Sequence, residues 1–367
     1  MVQLLLRTGR RAAGRRGLAL VCALVLLLSG IASAKSKAKP QLATTAPQLD
    51  MDGGRKLMYE GAFESQRQAR IKRSFWSKLV DVVAGPGEIH NMVRPYSIAV
   101  DSRERVIVTD PGAEAIHIFD FVQQKYKFIE RREGKDALRS PQCVAVDKQD
   151  NIYVTDSESG KIFVFEPGGK FRRAFGSLKG GEGFFKRPTG IAIDSDAQRI
   201  YVTDTLRDKI YVLDMEGSVV QTIGKHGAEN GEFNYPTELR LVGDQLVVVD
   251  AMNFRIQVLD KSGQFRYAIG RLGDTEGDFF RPKGVAVDSE GHIYVVEGLH
   301  ADVQVFDEHG QLLYYFGQHG SGPGQFQLPT GLFIDRKDRI FVADSFNHRV
   351  QVFHYFGLGR QAEGGRP

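Results

Sequence analysis

The sequence predicts an all-β protein, a six-bladed β-propeller with four antiparallel strands in each blade. Three observations lead to this fold class: a unit that begins with proline occurs six times, each unit carries short runs typical of strands, and the last unit is one strand short. The spacings between the prolines are 46, 47, 48, 46 and 47 residues, a period typical of repeat architectures. The prolines are Pro95, Pro141, Pro188, Pro236, Pro282 and Pro329.

The third unit, "PTGIAIDSDAQRIYVTDTLRDKIYVLDMEGSVVQTIG", shows the content of one blade. It holds four runs rich in Val, Ile and Tyr, namely "GIAID", "RIYVTD", "KIYVLD" and "VVQTIG", and Asp, Gly or Ser residues bound each run. No helical period is present in the repeated region. Each unit is therefore expected to form one twisted antiparallel sheet.

The sixth unit supplies only three strands, so the missing strand must come from elsewhere in the chain. Residues 75–88, "FWSKLVDVVAGPGE", precede the first unit and resemble a fourth strand with its following turn. We expect this segment to pair with residues 349–353 and close the ring, which would hide two sheet edges. Trp76, the only tryptophan, would lie at this closure.

The chain is predicted to contain a signal peptide (1–34), a polar tether (35–73), the propeller (74–357) and a flexible C-terminal tail (358–367). Five arginines precede an apolar run of 17 residues that ends in Ala32-Ser33-Ala34, which is the pattern of a secretory signal. An uncleaved membrane anchor is the alternative, and the sequence leaves the Sec and twin-arginine routes open. The protein is expected in the periplasm or outside the cell, with no transmembrane segment after cleavage.

Charge and cysteine content restrict the class of partner. Removing residues 1–34, which carry five arginines and no acidic residue, takes the formal net charge from +4 to about −1. A nearly neutral protein has no global electrostatic reason to bind nucleic acid. Cys143 is the only cysteine outside the signal, so the mature chain can form no internal disulfide.

The repeated unit resembles the NHL repeat. The resemblance is carried by "PTGLFIDRKDRIFVADSFNHRVQVF" and "VVVDAMNFRIQVLDKSGQFRYAIG" and extends over residues 75–353. NHL propellers include binding modules, scaffolds and a few enzymes, so the resemblance implies the fold more strongly than a function. Ubiquitin-ligase relatives attach Cys/His-rich zinc modules, which a single mature cysteine excludes.

Two enzyme groups of similar fold bind metals. Amidating lyases place zinc-binding histidines just after the unit-opening proline, where no unit of this chain has one. Gluconolactonase-like propellers hold a metal near the axis with carboxylates and amides, a set that cannot be identified in this sequence. We therefore expect no catalytic residue, no cofactor and no metal.

Ligands of propellers favour the channel mouth, on the face with the loops that precede the first strand and the loops that join the second and third strands. Unit four differs from the other units here, because its innermost strand has Arg240, close to Glu238. Unit six has Phe333 at the position of Arg240. A structural pair of Arg240 with Glu238 or main chain is one interpretation, and an anion-binding arginine is the other. Four other units have alanine at this position: Ala99, Ala145, Ala192 and Ala286.

Further residues complete the predicted ligand-binding set at this face. Basic residues flank the unit-opening prolines, Asn and Arg recur before the third strand, and unit five departs from the pattern with Glu297, His300 and Asp302. These last three could hold a metal or a general base, although one exposed loop supplies all of them. Besides Arg240, Glu238, His300 and Asp302, the set contains Arg94, Arg187, Arg281, Lys283, Asn253, Arg255, Asn347 and Arg349.

The Asp that ends each second strand is expected to be structural, bonding the backbone N–H groups of the next loop. It occurs in five units, as Asp110, Asp156, Asp204, Asp250 and Asp344.

Taken together, these residues predict an exported, non-catalytic binding or scaffold protein. Its partner would be an exported or membrane-associated protein, or an anionic small ligand or glycan. The alternative is a hydrolase or lyase of the lactonase type that uses the same face, with or without a metal.

Overall fold

The computed structural model describes residues 47–51, 54–67, 89–131, 133–134, 136–176 and 184–357. The predicted signal peptide, residues 75–88 with Trp76, and the tail at 358–367 lie outside these ranges. Within them, no helix is long and apolar enough to span a membrane.

The predicted fold class is confirmed, since the strands form six antiparallel sheets arranged as the blades of a propeller. Two strands precede the six units: β1 (Gln48–Asp50) and β2 (Lys56–Phe63). Blade one has β3 (Ser97–Val100), β4 (Val106–Asp110), β5 (Ala115–Asp120) and β6 (Lys125–Glu130). Blade two has β7 (Pro141–Val146), β8 (Ile152–Asp156), β9 (Lys161–Phe165) and β10 (Phe171–Phe175). Blade three has β11 (Pro188–Asp194), β12 (Arg199–Asp204), β13 (Lys209–Leu213) and β14 (Val219–Ile223).

The remaining blades repeat this order. Blade four has β15 (Pro236–Val242), β16 (Gln245–Asp250), β17 (Arg255–Asp260) and β18 (Phe265–Ile269). Blade five has β19 (Pro282–Val287), β20 (Ile293–Glu297), β21 (Asp302–Phe306) and β22 (Leu312–Phe316). Blade six has β23 (Pro329–Ile334), β24 (Arg339–Asp344) and β25 (Arg349–Phe356). Short 3-10 turns join the second and third strands of three blades: Thr205–Arg207, Ala251–Asn253 and Ser345–Asn347.

An N-terminal strand closes blade six, but it is not the strand that the sequence suggested. β2 pairs with β25 from Lys56 opposite Phe356 to Phe63 opposite Val350, and β1 adds a fifth strand outside it. The predicted pairing of residues 75–88 with residues 349–353 is therefore wrong, because β2 takes that edge. The predicted tether at 35–73 contains both β1 and β2.

Side chains of β2 explain why this strand closes the ring. Leu57 joins the core between blades five and six, while Phe63 packs against Phe119 of blade one with ring centroids 4.8 Å apart. The strand alternation is broken by a register shift between Tyr59 and Gly61. That bulge hides the period of two in the sequence, and it lets one short strand face both neighbouring blades.

The hydrophobic core lies between adjacent sheets. Each buried cluster combines side chains from two neighbouring blades, as Tyr201 of blade three packs with Leu239 and Val248 of blade four. Because each blade packs against one neighbouring blade on either side, the strands near the axis are apolar on both faces.

A buried carboxylate ends the second strand of every blade and fixes the loops at one face. Asp156 accepts N–H groups from Arg139 (2.7 Å) and Ser140 (2.9 Å) in the loop before the first strand, and from Ser159 (2.9 Å) in the loop before the third strand. The predicted bonds to N–H groups of the next loop are present for Asp110 and Asp156, whereas Asp204, Asp250 and Asp344 accept N–H groups from the preceding loop. The carboxylates, all 0 % exposed, are Asp110, Asp156, Asp204, Asp250, Glu297 and Asp344.

Candidate ligand-binding face

The carboxylates bring two sets of loops to the same side of the propeller, and we call this side the mouth face. It consists of the described residues of the loops that precede the first strands, and of the loops between the second and third strands. The first set is 89–96, 131–140, 176–187, 224–235, 270–281 and 317–328, and the second set is 111–114, 157–160, 205–208, 251–254, 298–301 and 345–348.

Arg240 projects from the innermost strand of blade four and ties three blades together. Its Nη2 lies 2.5 Å from Glu238 Oε1 and donates to Leu332 O in blade six at 2.7 Å. Its Nε donates to Val285 O in blade five at 3.1 Å. The guanidinium carbon lies 5.6 Å from the ring centre of Phe333. Arg240 therefore pairs with Glu238 and with main-chain carbonyl groups, as the structural interpretation of the sequence expected. Its side chain is only 13 % exposed.

Burial dominates the electrostatics beneath the mouth. It raises the pKa of Glu238 to about 7, against the charge of Arg240, which lowers it. Burial likewise raises the pKa of the Cys143 thiol and of Tyr96 well above their usual values. The Cys143 thiol is therefore protonated and inert at neutral pH.

Several predicted basic residues come together at the mouth. Arg187 and Arg281 are exposed, and Lys283 is half-buried. Burial lowers the pKa of the Lys283 amine, and the charges of Arg281 and Arg187 lower it further, whereas the charge of Glu297 raises it. Arg187 Nη1 also donates to Tyr235 Oη at 3.0 Å.

These cations form no ion pair within the described part of the chain, although the buried Glu297 carboxylate acts on Lys283 through its charge. No ion pair joins Arg187, Arg281 or Lys283 to an Asp or Glu there, and the same holds for three further cations of the face. The three are exposed in the loops before the first strands: Arg94, Arg139 and Lys186.

Apolar side chains stand out from the same face, and sequence reasoning missed them. In blades three to six the residue two places after the buried carboxylate is large, apolar and between 41 % and 54 % exposed. Phe280 and Val93, which precede Arg281 and Arg94, are 49 % and 48 % exposed. The repeated order "DTL", "DAM", "EGL" and "DSF" was the available signal. We call the four residues the apolar ring: Leu206, Met252, Leu299 and Phe346.

Four other predicted residues form hydrogen bonds to the loops and buried carboxylates of the mouth face. Arg255 Nε donates to Asp250 at 2.8 Å, and Asn253 Nδ2 donates to Gly227 O at 2.8 Å. Asn347 and Arg349 make the equivalent bonds in blade six, to Gly320 O and Asp344. The repeat consensus that the sequence shows at these positions is therefore loop anchoring.

Glu297, His300 and Asp302, the group predicted in blade five, do not have one common role in the structure. Glu297 is fully buried and bonds Phe280 N, Arg281 N and Leu299 N at 2.8 to 2.9 Å, so it acts as the other blades' Asp does. Asp302 is 9 % exposed. No three His, Cys, Asp or Glu side chains of the described residues converge as a metal-binding group.

Comparison with known proteins agrees with the fold. The sequence matches a family described as "6-bladed beta-propeller" over residues 137–225, 226–297 and 288–359. A search of the curated proteins found no match.

Solved structures of similar fold come from proteins of different activity. A streptogramin B lyase has a TM-score of 0.53 and 16 % identity, over 72 % of this chain and 94 % of its own. Virginiamycin B lyase from Staphylococcus aureus has a TM-score of 0.53 and 15 % identity, over 82 % of this chain and 99 % of its own. An auxiliary nutrient binding protein from Bacteroides thetaiotaomicron has a TM-score of 0.56 and 11 % identity, over 72 % of this chain and 69 % of its own. Identities this low show the fold alone.

Proposed function

The chain belongs to the 6-bladed beta-propeller family, and from this premise we propose that it is a non-catalytic binding protein whose mouth face holds an acidic peptide segment of a partner protein. The observation that carries the proposal is the group of Arg187, Arg281 and Lys283 on the mouth face, none of which forms an ion pair in the described part of the chain. The finer assignment of the units to the NHL repeat belongs to the same proposal and rests on the unit pattern.

Clustered cations without counter-ions favour an anion. Burial is the largest cause of the lowered pKa of the Lys283 amine, and the charges of Arg281 and Arg187 lower it further, while the charge of Glu297 partly offsets them. A carboxylate that binds there relieves this repulsion and gains charge-assisted hydrogen bonds. Electrostatic complementarity of this kind steers association and sets specificity.

The apolar ring favours a peptide over a small inorganic anion. Leu206, Met252, Leu299 and Phe346 expose apolar area around the mouth, and burying such area contributes roughly 25 cal/mol per Å². A ligand that has both carboxylates and apolar side chains would use both features of the face. Phe280 beside Arg281 places the two kinds of contact on neighbouring residues.

The channel supports binding at the surface and not deep within the ring. Arg240 joins blades four, five and six beneath the mouth through Glu238 and two carbonyl oxygens. A ligand would therefore rest on the loops above this crossing. We also infer, from residues 1–34, that the protein meets its partner after export.

The proposal can be tested by titrating the protein into a labelled peptide of alternating Glu and Leu residues. A peptide of alternating Lys and Leu residues of equal length is the control. We expect the acidic peptide alone to bind, more weakly as salt rises. The variant R187Q/R281Q/K283Q should weaken binding at least about tenfold, as expected for lost charge-assisted bonds. The matched control is K148Q/K170Q/R336Q, which removes three exposed cations from loops on the opposite face.

Equal binding of both peptides, or equal loss in both triple variants, would contradict the proposal. The same preparations can be offered lactone and ester substrates. Turnover that the mouth variant loses and the control keeps would replace the binding function with the hydrolase or lyase alternative.

A further inference from the structure

In blades four and six, one arginine binds both the buried carboxylate of its blade and carbonyl groups of the loop before the first strand. We call this binding position the socket. Arg255 and Arg349 begin their third strands, and the Nε of each donates to the buried carboxylate of its blade at 2.8 Å. The Nη2 of each also donates to two carbonyl oxygens in the loop that precedes the first strand, at 2.8 to 3.1 Å. The carbonyl groups belong to Glu229 and Glu232 in blade four, and to Gly322 and Gln325 in blade six.

In blade five, the loop before the first strand is held by the same two glutamine hydrogen bonds as in blades four and six. Gln304 Nε2 donates to Asp278 O at 3.2 Å, and its Oε1 accepts from Gly277 N at 2.8 Å. Gln257 and Gln351 make the equivalent two bonds in the neighbouring blades. The carbonyl groups of Thr275 and Asp278 thus correspond to those that the arginines bind.

Blade five has different residues at the two positions that donate to these carbonyl groups in blades four and six. Asp302 stands at the arginine position, and His300 stands where Asn253 and Asn347 donate to the carbonyl oxygens of Gly227 and Gly320. The corresponding carbonyl in blade five is that of Gly273. Within the described residues, no side chain donates to Gly273 O or Thr275 O.

Asp302 itself has an unsatisfied oxygen. The residue is 9 % exposed, and its Oδ1 is buried with no hydrogen-bond partner among the described residues. Burial and the charges of Glu297 and Glu276 raise the pKa of Asp302 to about 6, although His300 and Gln304 lower it. A buried carboxylate oxygen without a donor costs free energy unless a cation or a proton compensates it.

We propose that the blade-five socket binds Ca²⁺ in place of the arginine of the sister blades, with Asp302 Oδ1 and the carbonyl oxygens of Gly273 and Thr275 as ligands. Ca²⁺ takes six to eight oxygen ligands in flexible geometry and accepts backbone carbonyl groups and water readily. The ion would bridge the third strand to the preceding loop, as the guanidinium does in blades four and six.

The chemistry selects Ca²⁺ over Mg²⁺ and over transition metals. Three protein oxygens leave the remaining positions to water. Mg²⁺ requires near-ideal octahedral geometry and loses its water reluctantly. Softer ions prefer the nitrogen and sulfur ligands of His and Cys, whereas the three proposed ligands are all oxygen atoms. The inference is independent of the mouth-face ligand.

The test uses the full chain stripped with EGTA, titrated with CaCl2 by calorimetry and melted with and without millimolar CaCl2. We expect one Ca²⁺ per chain and a rise in melting temperature of roughly 2 °C or more, with a smaller rise in MgCl2. Asp302→Arg restores the residue of the sister blades, so it should abolish Ca²⁺ binding and melt without Ca²⁺ no lower than the wild type does.

Two further variants keep the outcome decisive. Asp302→Asn preserves shape and should weaken Ca²⁺ binding by at least about tenfold if the carboxylate is a ligand. Glu308→Gln removes an exposed carboxylate of the same blade and should change nothing. The proposal is overturned if the stripped wild type binds no Ca²⁺, or if Asp302→Arg and Asp302→Asn bind it as tightly as the wild type.

Discussion

Leu57 lies directly opposite Tyr355 in the strand pair that closes the propeller, and both side chains are buried in the core between blades five and six. Two residues from opposite ends of the chain therefore complete the same blade. Because β25 pairs with β24 on one side and with β2 on the other, the closure leaves no exposed edge on β25.

The stability of the closure can be tested at Leu57. Leu57→Ala removes a side chain that is 3 % exposed, so we expect a loss of about 2 to 4 kcal/mol in the free energy of unfolding. Urea denaturation measures the loss. Ala62→Ser, at an exposed position of the same strand, is the control and should be nearly neutral. Equal stability of the two variants would mean that β2 does not close the blade in solution.

Arg240 is expected to contribute to stability through its partners in three blades. Arg240→Ala leaves Glu238 buried without its cation, which should cost about 3 to 5 kcal/mol at slightly alkaline pH. The double variant E238G/R240A restores residues found at these positions in blades three and five and should recover at least half of the loss. An Arg240→Ala protein with wild-type stability and lost binding of the acidic peptide would support the anion-binding interpretation instead.

The pKa of Glu238 predicts a pH dependence. Burial raises the pKa in the folded protein to about 7, above the ordinary value of 4.5. Between these values the folded state keeps a proton that the unfolded state has released, so stability is highest below the lower value and falls as pH rises through the upper one. The unfolding free energy of the wild type should fall relative to Glu238→Gln by up to roughly 3 kcal/mol across this window. A constant difference between the two proteins would contradict the assignment.

The apolar ring should affect binding and leave stability unchanged. Met252→Ser and Phe346→Ser alter side chains that are 54 % and 50 % exposed, so each should shift the free energy of unfolding by less than about 0.5 kcal/mol. Together they should weaken binding of the Glu and Leu peptide severalfold because buried apolar area is lost. Val219→Ser, on an outer strand and 44 % exposed, is the control. Unchanged peptide affinity in the double variant would remove the ring from the binding face.

Export can be measured at the N-terminus. We expect the mature protein to begin at Lys35, because Ala32-Ser33-Ala34 offers the small residues that a signal peptidase recognises. Intact-mass spectrometry of protein from the native compartment measures this directly. Retention of residues 1–34 would favour the membrane-anchor alternative.

The sequence by itself determined the number of blades, the strands of each unit and the structural role of the repeated Asp. These features are local, since proline, Asp and the apolar runs recur in each unit and act within one blade, as Pro188 opposite Asp204 shows. It also located the basic residues of the mouth, because their place beside the unit-opening proline fixes the face on which they lie.

Only the tertiary structure decided which segment closes the ring, what Arg240 binds, and where the apolar ring and the blade-five socket lie. Lys56 pairs with Phe356, and Arg240 reaches Leu332 O across 92 residues. No periodicity encodes such pairs. They depend on how separate blades approach one another, and a side chain's partners in another blade are set by packing around the axis, not by its neighbours in the chain.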